Sequence, residues 1–388
     1  MRIRLPRLVR NQLPLTCALA LVVAMVVGQQ FPSAPASAAA DPVQAQTDLA
    51  AARLAAVMHP LGPGEKPPQF VIFSFDGAGS HDHWQKIMAL AGPAQARITG
   101  FLSGLYLVPD ADKAAYRGPG HQPGKSSIGF GGSDAEVARL VADLDEAHAR
   151  GHEIGTHYNG HFCAGSEPSV GKWSTAMWST ELDEFSGFVE AARRDRGLRL
   201  DPADVTGGRT PCLEGKWEEA VPAMRAHGLT YDSSRTSNGI AWPTDENGIR
   251  EFWMPIVRVP ALGGKRVIMM DYNLWFTFNG ARDQPERAAG FTTATLDTYR
   301  AAYDAAFTGN RAPLVIGNHF NNWSGGAFFD AVEQFLPEVC VRPETVCATY
   351  SEVSAWMDLQ ATPTLAALRS APNAQIPLPG PDGAPSRP

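Results

Sequence analysis

Residues 151–161 read Gly151-His152-Glu153-Ile154-Gly155-Thr156-His157-Tyr158-Asn159-Gly160-His161, which places two histidines four residues apart after a short apolar strand pattern. Gly155 and Gly160 favour an exit from a strand into a loop, where a barrel or an open parallel sheet places its chemistry. Two neutral imidazoles at such an exit can hold a borderline cation such as zinc, with a carboxylate and water completing the coordination. The stretch therefore suggests half of a metal site.

Spacing by itself is weak support for a metal site. His148 and His152 are also four residues apart, but His148 belongs to a helix-patterned run that ends near Arg150. We interpret that second pair as a solvated helix end. The residues alone leave open whether His157 and His161 bind a metal.

Both ends of the chain differ in composition from its centre. Arginines precede an apolar run at residues 13–28 and small residues follow it, which predicts a secretory signal peptide over residues 1–38. Residues 39–68 are rich in Ala and Pro and predict a flexible segment, and the Pro-rich residues 361–388 predict a disordered tail. Residues 69–360 are expected to form one domain.

Charge and hydropathy limit the class of partner. The formal net charge is −7, and removal of the signal peptide takes away four Arg and no acid, which leaves −11. Such an acidic chain does not favour nucleic acid as a partner, because a basic face would be needed to bind it. The apolar run is shorter than the roughly 20 residues that span a bilayer. We expect an exported protein, secreted or associated with the cell wall, with no stable membrane insertion.

Strand and helix patterns alternate through the centre of the chain. Residues 69–76 and 98–103 predict strands, while residues 81–90 and 134–150 predict helices, the second with Ser133 as its N-cap. The alternation continues with helices at 181–194, 217–227, 294–306 and 327–336 and strands at 266–270 and 313–316. It predicts an α/β fold with a parallel sheet, closed as a barrel or open and doubly wound.

Residues 151–161 resemble the second signature motif of the polysaccharide deacetylases, the fourth carbohydrate-esterase family, in which Gly-His-Glu-Ile-Gly leads into His-x-x-x-His. The resemblance implies a distorted β/α barrel of about seven parallel strands. It also implies a divalent metal, expected to be zinc, with His157 and His161 as ligands. Looser motifs extend the resemblance over residues 69–358.

The first predicted strand ends in Asp76-Gly77, where the family has Asp-Asp. The resemblance implies that Asp76 is the general base. Gly77 stands where the family supplies a carboxylate ligand to the metal, so two protein ligands remain. Asp82 is the expected substitute because it offers a carboxylate five residues further on, and a solvated helix start is the alternative.

Three later motifs resemble the family less closely. Arg209-Thr210-Pro211 is similar to Arg-x-Pro and implies an Arg that keeps the catalytic carboxylate ionised, whereas an ordinary surface Arg is the alternative. Asp232 lies where relatives carry an Asp that tunes a catalytic His. Leu314 and His319 match the last motif, which implies an apolar residue lining the acetyl pocket and a His that acts as general acid. A His that caps a strand is the alternative.

Aromatic residues cluster near the last motif. Tyr272, Trp275 and Trp323 are expected to bind substrate, because aromatic faces suit stacking on a sugar ring. Similar clusters also occur in ordinary cores.

Four cysteines follow the predicted signal peptide, and an even number in an exported chain predicts disulfides. Cys340 and Cys347 are close in sequence, and Cys163 and Cys212 each adjoin a site motif. These two pairings are favoured among the three connectivities, with a metal ligand at Cys163 as the alternative.

Taken together, the resemblance predicts a secreted, metal-dependent deacetylase that hydrolyses N-acetyl or O-acetyl groups of a polysaccharide such as a chitin-like glycan or peptidoglycan. Asp76 would take a proton from water, and His319 would protonate the leaving group. The alternative is a glycan-binding pseudoenzyme that keeps the fold and the cleft but lost the metal with the carboxylate at position 77.

Overall fold

The computed structural model describes residues 42–378, and the predicted signal peptide lies outside them. The α-helices are α1 (Pro42–Ala55), α2 (His81–Ala91), α3 (Asp134–Ala149), α4 (Thr175–Arg196), α5 (Trp217–Ala226), α6 (Asp271–Asn279), α7 (Ala288–Thr308), α8 (Trp323–Val339), α9 (Tyr350–Asp358) and α10 (Thr362–Ser370). The strands are β1 (Gln69–Gly77), β2 (Thr99–Leu102), β3 (Glu153–Thr156), β4 (Gly207–Gly208), β5 (Tyr231–Asp232), β6 (Thr236–Asn238), β7 (Thr244–Glu246), β8 (Ile249–Glu251), β9 (Met254–Val259), β10 (Lys265–Ile268), β11 (Leu314–His319) and β12 (Thr345–Cys347). None of the described helices combines the length and the apolar character needed to cross a membrane.

Seven strands form a curled parallel sheet in the order β11-β1-β2-β3-β4-β5-β8. β7 continues it antiparallel to β8, and β12 pairs with the first residues of β1. A smaller sheet has the order β10-β9-β6, and a bridge between Met270 and Gly317 joins its end to β11. Within residues 42–378 no strand ladder joins β7 to β11, so the barrel is incomplete. The predicted distorted β/α barrel of about seven parallel strands is confirmed.

β1 lies at the centre of the sheet and is buried from Gln69 to Asp76. Phe73 and Phe75 pack against the phenylalanines of α8, with ring centroids 6.0 and 6.1 Å apart. The alternate residues face the inside of the curled sheet, because side chains alternate along a strand. This alternation brings the Asp76 carboxylate to the carboxyl end of β1 on the inner side.

The connection from α3 into β3 fixes where the histidine loop begins. The predicted N-cap of α3 is confirmed, because the Ser133 side chain accepts from the Glu136 backbone N–H and the Glu136 side chain accepts from the Ser133 N–H. After α3 ends, Gly151 has a φ of 83°, a left-handed conformation that favours glycine and turns the chain towards β3. β3 then ends at Thr156, directly before His157.

Two segments for which the sequence predicts irregular structure contain helices in their described residues. The segment before β1 was expected to be flexible, but it contains α1, whose Arg53 donates a hydrogen bond to the Thr345 carbonyl at 3.0 Å. Its alanines favour a helix, and Arg53 attaches that helix to the domain. The expected tail likewise contains α10, whose Arg369 donates to the Pro243 carbonyl at 2.8 Å. The predictions of a flexible segment and of a disordered tail are therefore corrected for the residues of α1 and α10.

Both predicted disulfides are present, Cys163–Cys212 and Cys340–Cys347. The first joins the loop after β3 to the loop after β4, and the second joins the end of α8 to β12. The alternative of a metal ligand at Cys163 is thereby corrected, because its sulfur is used in the disulfide.

The two bridges are expected to contribute unequally to stability. They span sequence separations of 49 and 7 residues. In the loop-entropy treatment, replacing Cys163 and Cys212 by Ser lowers the free energy of unfolding by about 4 kcal/mol, and replacing Cys340 and Cys347 lowers it by about 2.5 kcal/mol. Denaturant unfolding of the two double variants measures both values. A larger loss from the shorter loop would contradict this expectation.

Candidate active site

A cavity of about 350 Å³ lies at the carboxyl ends of β1, β2, β3 and β11, the edge of a parallel sheet where active sites form. Its lining residues are Asp76, Gly77, Gly79, Ser80, Ser103, Tyr106, Ile128, His157, His161, His319, Phe320, Asn321 and Trp323. The cavity thus brings together residues from three separate motifs of the sequence, those that contain Asp76, the two histidines and His319.

Asp76 and Arg209 form a buried ion pair at the bottom of this cavity. Arg209 Nη1 donates to Asp76 Oδ1 at 2.8 Å, and the guanidinium has no exposed surface. Arg209 Nε donates to the Ser233 carbonyl at 2.8 Å, and Nη2 donates to the Tyr350 hydroxyl at 2.7 Å. The contact expected between Arg209 and a carboxylate is therefore present, and the Arg is held by partners on three sides.

This pair determines the charge of Asp76. Burial raises the pKa of the carboxyl, but the charge of Arg209, with smaller contributions from His157 and His319, outweighs burial and lowers that pKa below its usual value. Asp76 is therefore ionised at neutral pH and can accept a proton.

The orientation of His157 is fixed by the same arginine. His157 Nδ1 lies 2.7 Å from the Arg209 carbonyl oxygen. A carbonyl only accepts, so Nδ1 carries the proton and Nε2 keeps a free lone pair. Burial lowers the pKa of His157 to about 3, although Asp76 opposes that effect. The ring is therefore neutral, which is the form that binds a metal.

His161 lies beside His157 at the edge of the cavity. The two ring centroids are 5.2 Å apart, and burial, with the neighbouring His319, lowers the pKa of His161. Its backbone has a φ of 54°, in the left-handed region. The two predicted histidines therefore present neutral imidazoles to one space.

Within residues 42–378 no third protein ligand for a metal is found beside these two imidazoles. The only described group of three His, Cys, Asp or Glu residues with ligand atoms within 4.8 Å of one another is His161, Cys163 and Cys212. Its two sulfurs are joined in the disulfide and supply no thiolate. Among the described residues, the side chains that would hold a metal here are therefore His157 and His161.

The structure corrects Asp82 as the substitute ligand. Asp82 lies in the first turn of α2 and lines a neighbouring cavity of about 540 Å³, together with Glu136 and Arg139 of α3. It does not line the cavity of the two histidines. The helix that starts at His81 places this side chain towards α3, so nearness in sequence to Asp76 does not bring it to the proposed metal site.

His319 is paired with a carboxylate that the sequence analysis did not assign. Its Nδ1 lies 2.7 Å from Asp271 Oδ1, and its backbone N–H donates to Asp271 Oδ2 at 2.7 Å. Burial lowers the pKa of His319, but the charge and the hydrogen bond of Asp271, together with Asp76, outweigh burial and raise it. The protonated ring is therefore stabilised next to the cavity, as a general acid requires.

Asp232, which was expected to tune a catalytic His, does not contact one. Its carboxylate accepts hydrogen bonds from the Ser234 N–H at 3.1 Å and the Ser234 hydroxyl at 2.7 Å. It belongs to the short strand β5 and turns back on its own chain. Asp271 takes the expected role instead, because α6 begins beside the end of β11.

Leu314 is also corrected as a residue of the acetyl pocket. In the ladder between β1 and β11, Leu314 pairs with Val71 whereas His319 pairs with Asp76. Five residues of strand separate the two positions by about 16 Å, so Leu314 lies at the other end of the sheet. It is a fully buried core residue.

Ser103 is a further cavity residue that the sequence analysis did not assign. It follows β2 and has no exposed surface, and its hydroxyl has no hydrogen-bond partner among the described residues. Buried hydroxyls normally have partners. Ser103 Oγ is therefore available to a bound ligand, and its position at the end of a predicted strand was the only signal in the sequence.

Of the three predicted aromatic residues, Trp323 lines the cavity and the other two pack against Trp323. The ring centroid of Trp323 lies 5.2 Å from that of His319. Trp275 stacks on Trp323 at 4.7 Å and is almost fully buried. Tyr272 lies 5.6 Å from Trp323 and is 43% exposed. Trp323 and Tyr272 thus form an aromatic surface that leads out of the cavity.

Comparison with known proteins gives relatives only among solved structures. No protein-family model matches the chain, and neither does any curated protein. A Mycobacterium smegmatis protein described as a polysaccharide deacetylase is 15% identical, with 83% of this chain and 98% of that chain covered and a TM-score of 0.45. A Pseudomonas aeruginosa PAO1 protein with the same description is 13% identical, with 77% and 94% covered and a TM-score of 0.44.

A third similar structure is a CE4 family pseudoenzyme of Bacillus anthracis, which is 11% identical, with 78% of this chain and 68% of that chain covered and a TM-score of 0.39. These similar structures are described as polysaccharide deacetylases or as a CE4 family member, the family whose signature motif residues 151–161 resemble. Because the identities are this low, these similarities concern the fold. The chemistry of the site has to follow from its own side chains.

Replacing Asp271 by Asn is expected to lower the pKa of His319, because the neutral amide no longer stabilises the charged ring. The raised pKa means that this pairing stabilises the fold at acid pH and that its contribution is lost as the pH rises through the pKa of folded His319. Titration of His319 by NMR measures the change. Asp232→Asn is the control and should leave that pKa unchanged. Equal changes in both variants would contradict the assignment of Asp271.

Proposed function

We propose that this chain is an exported, metal-dependent hydrolase that removes acetyl groups from a polysaccharide. The observation that carries the proposal is the meeting in one cavity of four side chains whose pKa values are shifted in different directions. These are an ionised carboxylate at Asp76, two neutral imidazoles at His157 and His161, and an imidazole with a raised pKa at His319.

The two neutral imidazoles fit a divalent ion such as zinc, because His157 presents a free Nε2 and His161 lies next to it. When bound, such an ion acts as a Lewis acid that polarises the acetyl carbonyl and makes a nearby water more acidic.

Asp76 acts as the general base in this proposal. It accepts a proton from the water whose oxygen attacks the acetyl carbon, and Arg209 keeps the carboxylate ionised and aimed into the cavity. His319 gives a proton to the leaving nitrogen or oxygen as its bond to the acetyl carbon breaks. The products are acetate and a free amine or hydroxyl, and Asp271 orients the His319 ring through both steps.

The surroundings of the cavity support a sugar as the substrate. Trp323 and Tyr272 offer aromatic faces on which a pyranose ring can stack, and Ser103 offers a free hydroxyl. Two disulfides and the predicted signal peptide support export, since disulfides persist in oxidising compartments. An N-acetylated or O-acetylated glycan outside the cell would meet both conditions.

A glycan-binding protein without activity is the second candidate. It is favoured by Gly77, because the carboxylate that would complete a three-ligand site is missing and no described residue replaces it. The retained ion pair of Asp76 and Arg209 and the pair of His319 and Asp271 favour the enzyme, since sugar binding alone does not require either.

Acetate release tests the two candidates. Wild-type protein loaded with zinc is expected to release acetate from at least one of chitooligosaccharides, peptidoglycan fragments and acetylated xylan. Asp76→Asn should lower kcat by about 100- to 10,000-fold, because the general base is lost. Binding of one of these glycans without any acetate release would support the pseudoenzyme instead.

Gly77→Asp is expected to tighten zinc binding by adding a charged oxygen ligand. A side chain at Gly77 has room, since an added Cβ would lie 3.7 Å from the nearest atom, the Tyr106 hydroxyl. Its φ of 85° should cost about 1 to 3 kcal/mol of stability. Calorimetric zinc titration measures the affinity, with His157→Ala expected to abolish binding and Asp82→Ala to leave it unchanged. Loss of zinc in Asp82→Ala would mean that Asp82 reaches the metal after all.

A further inference from the structure

Glu181 is a buried carboxylate that the proposed reaction does not use. It lies in α4 and has no exposed surface. Its Oε1 accepts hydrogen bonds from the backbone N–H groups of Asn159 at 2.8 Å and Gly160 at 3.1 Å. Its Oε2 accepts from the Tyr116 hydroxyl at 2.9 Å. The carboxylate is therefore attached to two of the three residues that separate His157 from His161.

The loop between the two histidines depends on these bonds for its shape. Tyr158 and His161 both have left-handed φ values, 58° and 54°, so the loop is not a regular element with its own hydrogen bonds. Without Glu181 the amides of Asn159 and Gly160 would be buried without these partners, which is costly. The Asn159 side-chain amide also donates to the Glu181 carbonyl at 2.8 Å.

Packing around Gly160 leaves the loop little freedom to shift. A Cβ at Gly160 would lie 2.2 Å from the Tyr116 hydroxyl and 2.3 Å from the Phe162 ring. Tyr116, which is bonded to Glu181, therefore presses directly on the loop. The position of the His161 backbone relative to His157 is set by this contact and by the carboxylate behind it.

We propose that Glu181 is a positioning residue that sets the separation of the His157 and His161 rings and thereby the affinity of the site for a divalent metal. The inference rests on the proposed function in taking these two histidines as metal ligands. Because only two protein ligands hold the ion, a change in their separation cannot be offset by a third. Outer partners of metal ligands typically change metal affinity by about 10- to 100-fold.

Two conservative variants separate geometry from charge. Glu181→Gln keeps the side-chain length and an oxygen that can accept from both amides, but it removes the group that can carry a negative charge. Glu181→Asp keeps an ionisable carboxyl but is shorter by one methylene, so it cannot reach Asn159, Gly160 and Tyr116 together. If Glu181 acts by position, the Glu181→Gln variant should keep the zinc affinity of the wild type and the Glu181→Asp variant should bind zinc more weakly. If it acts by its charge, the order should be reversed.

Glu153 offers a matched control on the same strand. It is a mostly buried carboxylate at the start of β3, and it accepts hydrogen bonds from the Thr99 hydroxyl at 2.8 Å and the Tyr350 N–H at 3.0 Å. Its bonds resemble those of Glu181, but it lies at the opposite end of β3 from His157. Glu153→Asp should therefore disturb a buried network without changing the histidine loop.

The experiment combines zinc titration by calorimetry with hydrogen–deuterium exchange of residues 157–163 in the metal-free protein. Glu181→Asp is expected to weaken zinc binding by about tenfold or more and to speed exchange of this segment. Glu181→Gln should stay close to wild type in both measurements, and so should Glu153→Asp. If Glu181→Asp does not fold, Tyr116→Phe removes one bond to the carboxylate and should give a smaller change in the same direction.

Unchanged zinc affinity and unchanged exchange in Glu181→Asp would overturn the proposal, as would an equal loss of affinity in Glu153→Asp. A wild-type protein that releases no acetate overturns the proposed activity but not the positioning role, since neither measurement depends on turnover. A wild-type protein that binds no zinc overturns the metal site and with it the effect on affinity.

Discussion

The buried ion pair between Asp76 and Arg209 is the interaction on which the site depends. A buried charge without its partner is very costly, so each of the two residues requires the other. Asp76 lies near the end of β1, and Arg209 directly follows β4. The sheet order places β2 and β3 between these two strands. The pair therefore spans the concave side of the curled sheet. Because the Arg209 carbonyl also accepts a hydrogen bond from His157 Nδ1, one residue fixes both the proposed base and a proposed metal ligand.

Burial and a few charges shift the pKa values of neighbouring groups in different directions. Arg209 lowers the pKa of Asp76, burial lowers the pKa of His157, and Asp271 outweighs burial at His319 to raise its pKa. An ionised carboxylate, a neutral imidazole and an imidazole whose protonated form is stabilised thus line one cavity. Acid and base chemistry at neutral pH requires groups whose pKa values differ because their surroundings differ.

The histidine loop is held from two sides. On one side, Glu181 binds its backbone amides, and on the other the Cys163–Cys212 disulfide ties the segment after His161 to the loop after Arg209. In the proposed metal site such outside support would matter more than in a site with a full set of ligands. With Gly77 in place of a carboxylate, no third side chain among residues 42–378 would help to position an ion, so the placement of the two imidazoles would decide its affinity.

The sequence by itself determined the elements and the position of most reactive residues along them. Alternating patterns predicted β1, α2 and α3, and the resemblance to the deacetylase motifs implied that Asp76, His157 and His319 share one site. Tertiary structure decided the partners. Asp271 rather than Asp232 binds His319 across 48 residues of sequence, Leu314 lies a strand length from the cavity, and Asp82 faces α3. Local sequence carries periodicity and turns, whereas a contact between distant residues depends on how helices and strands pack, which no local pattern contains.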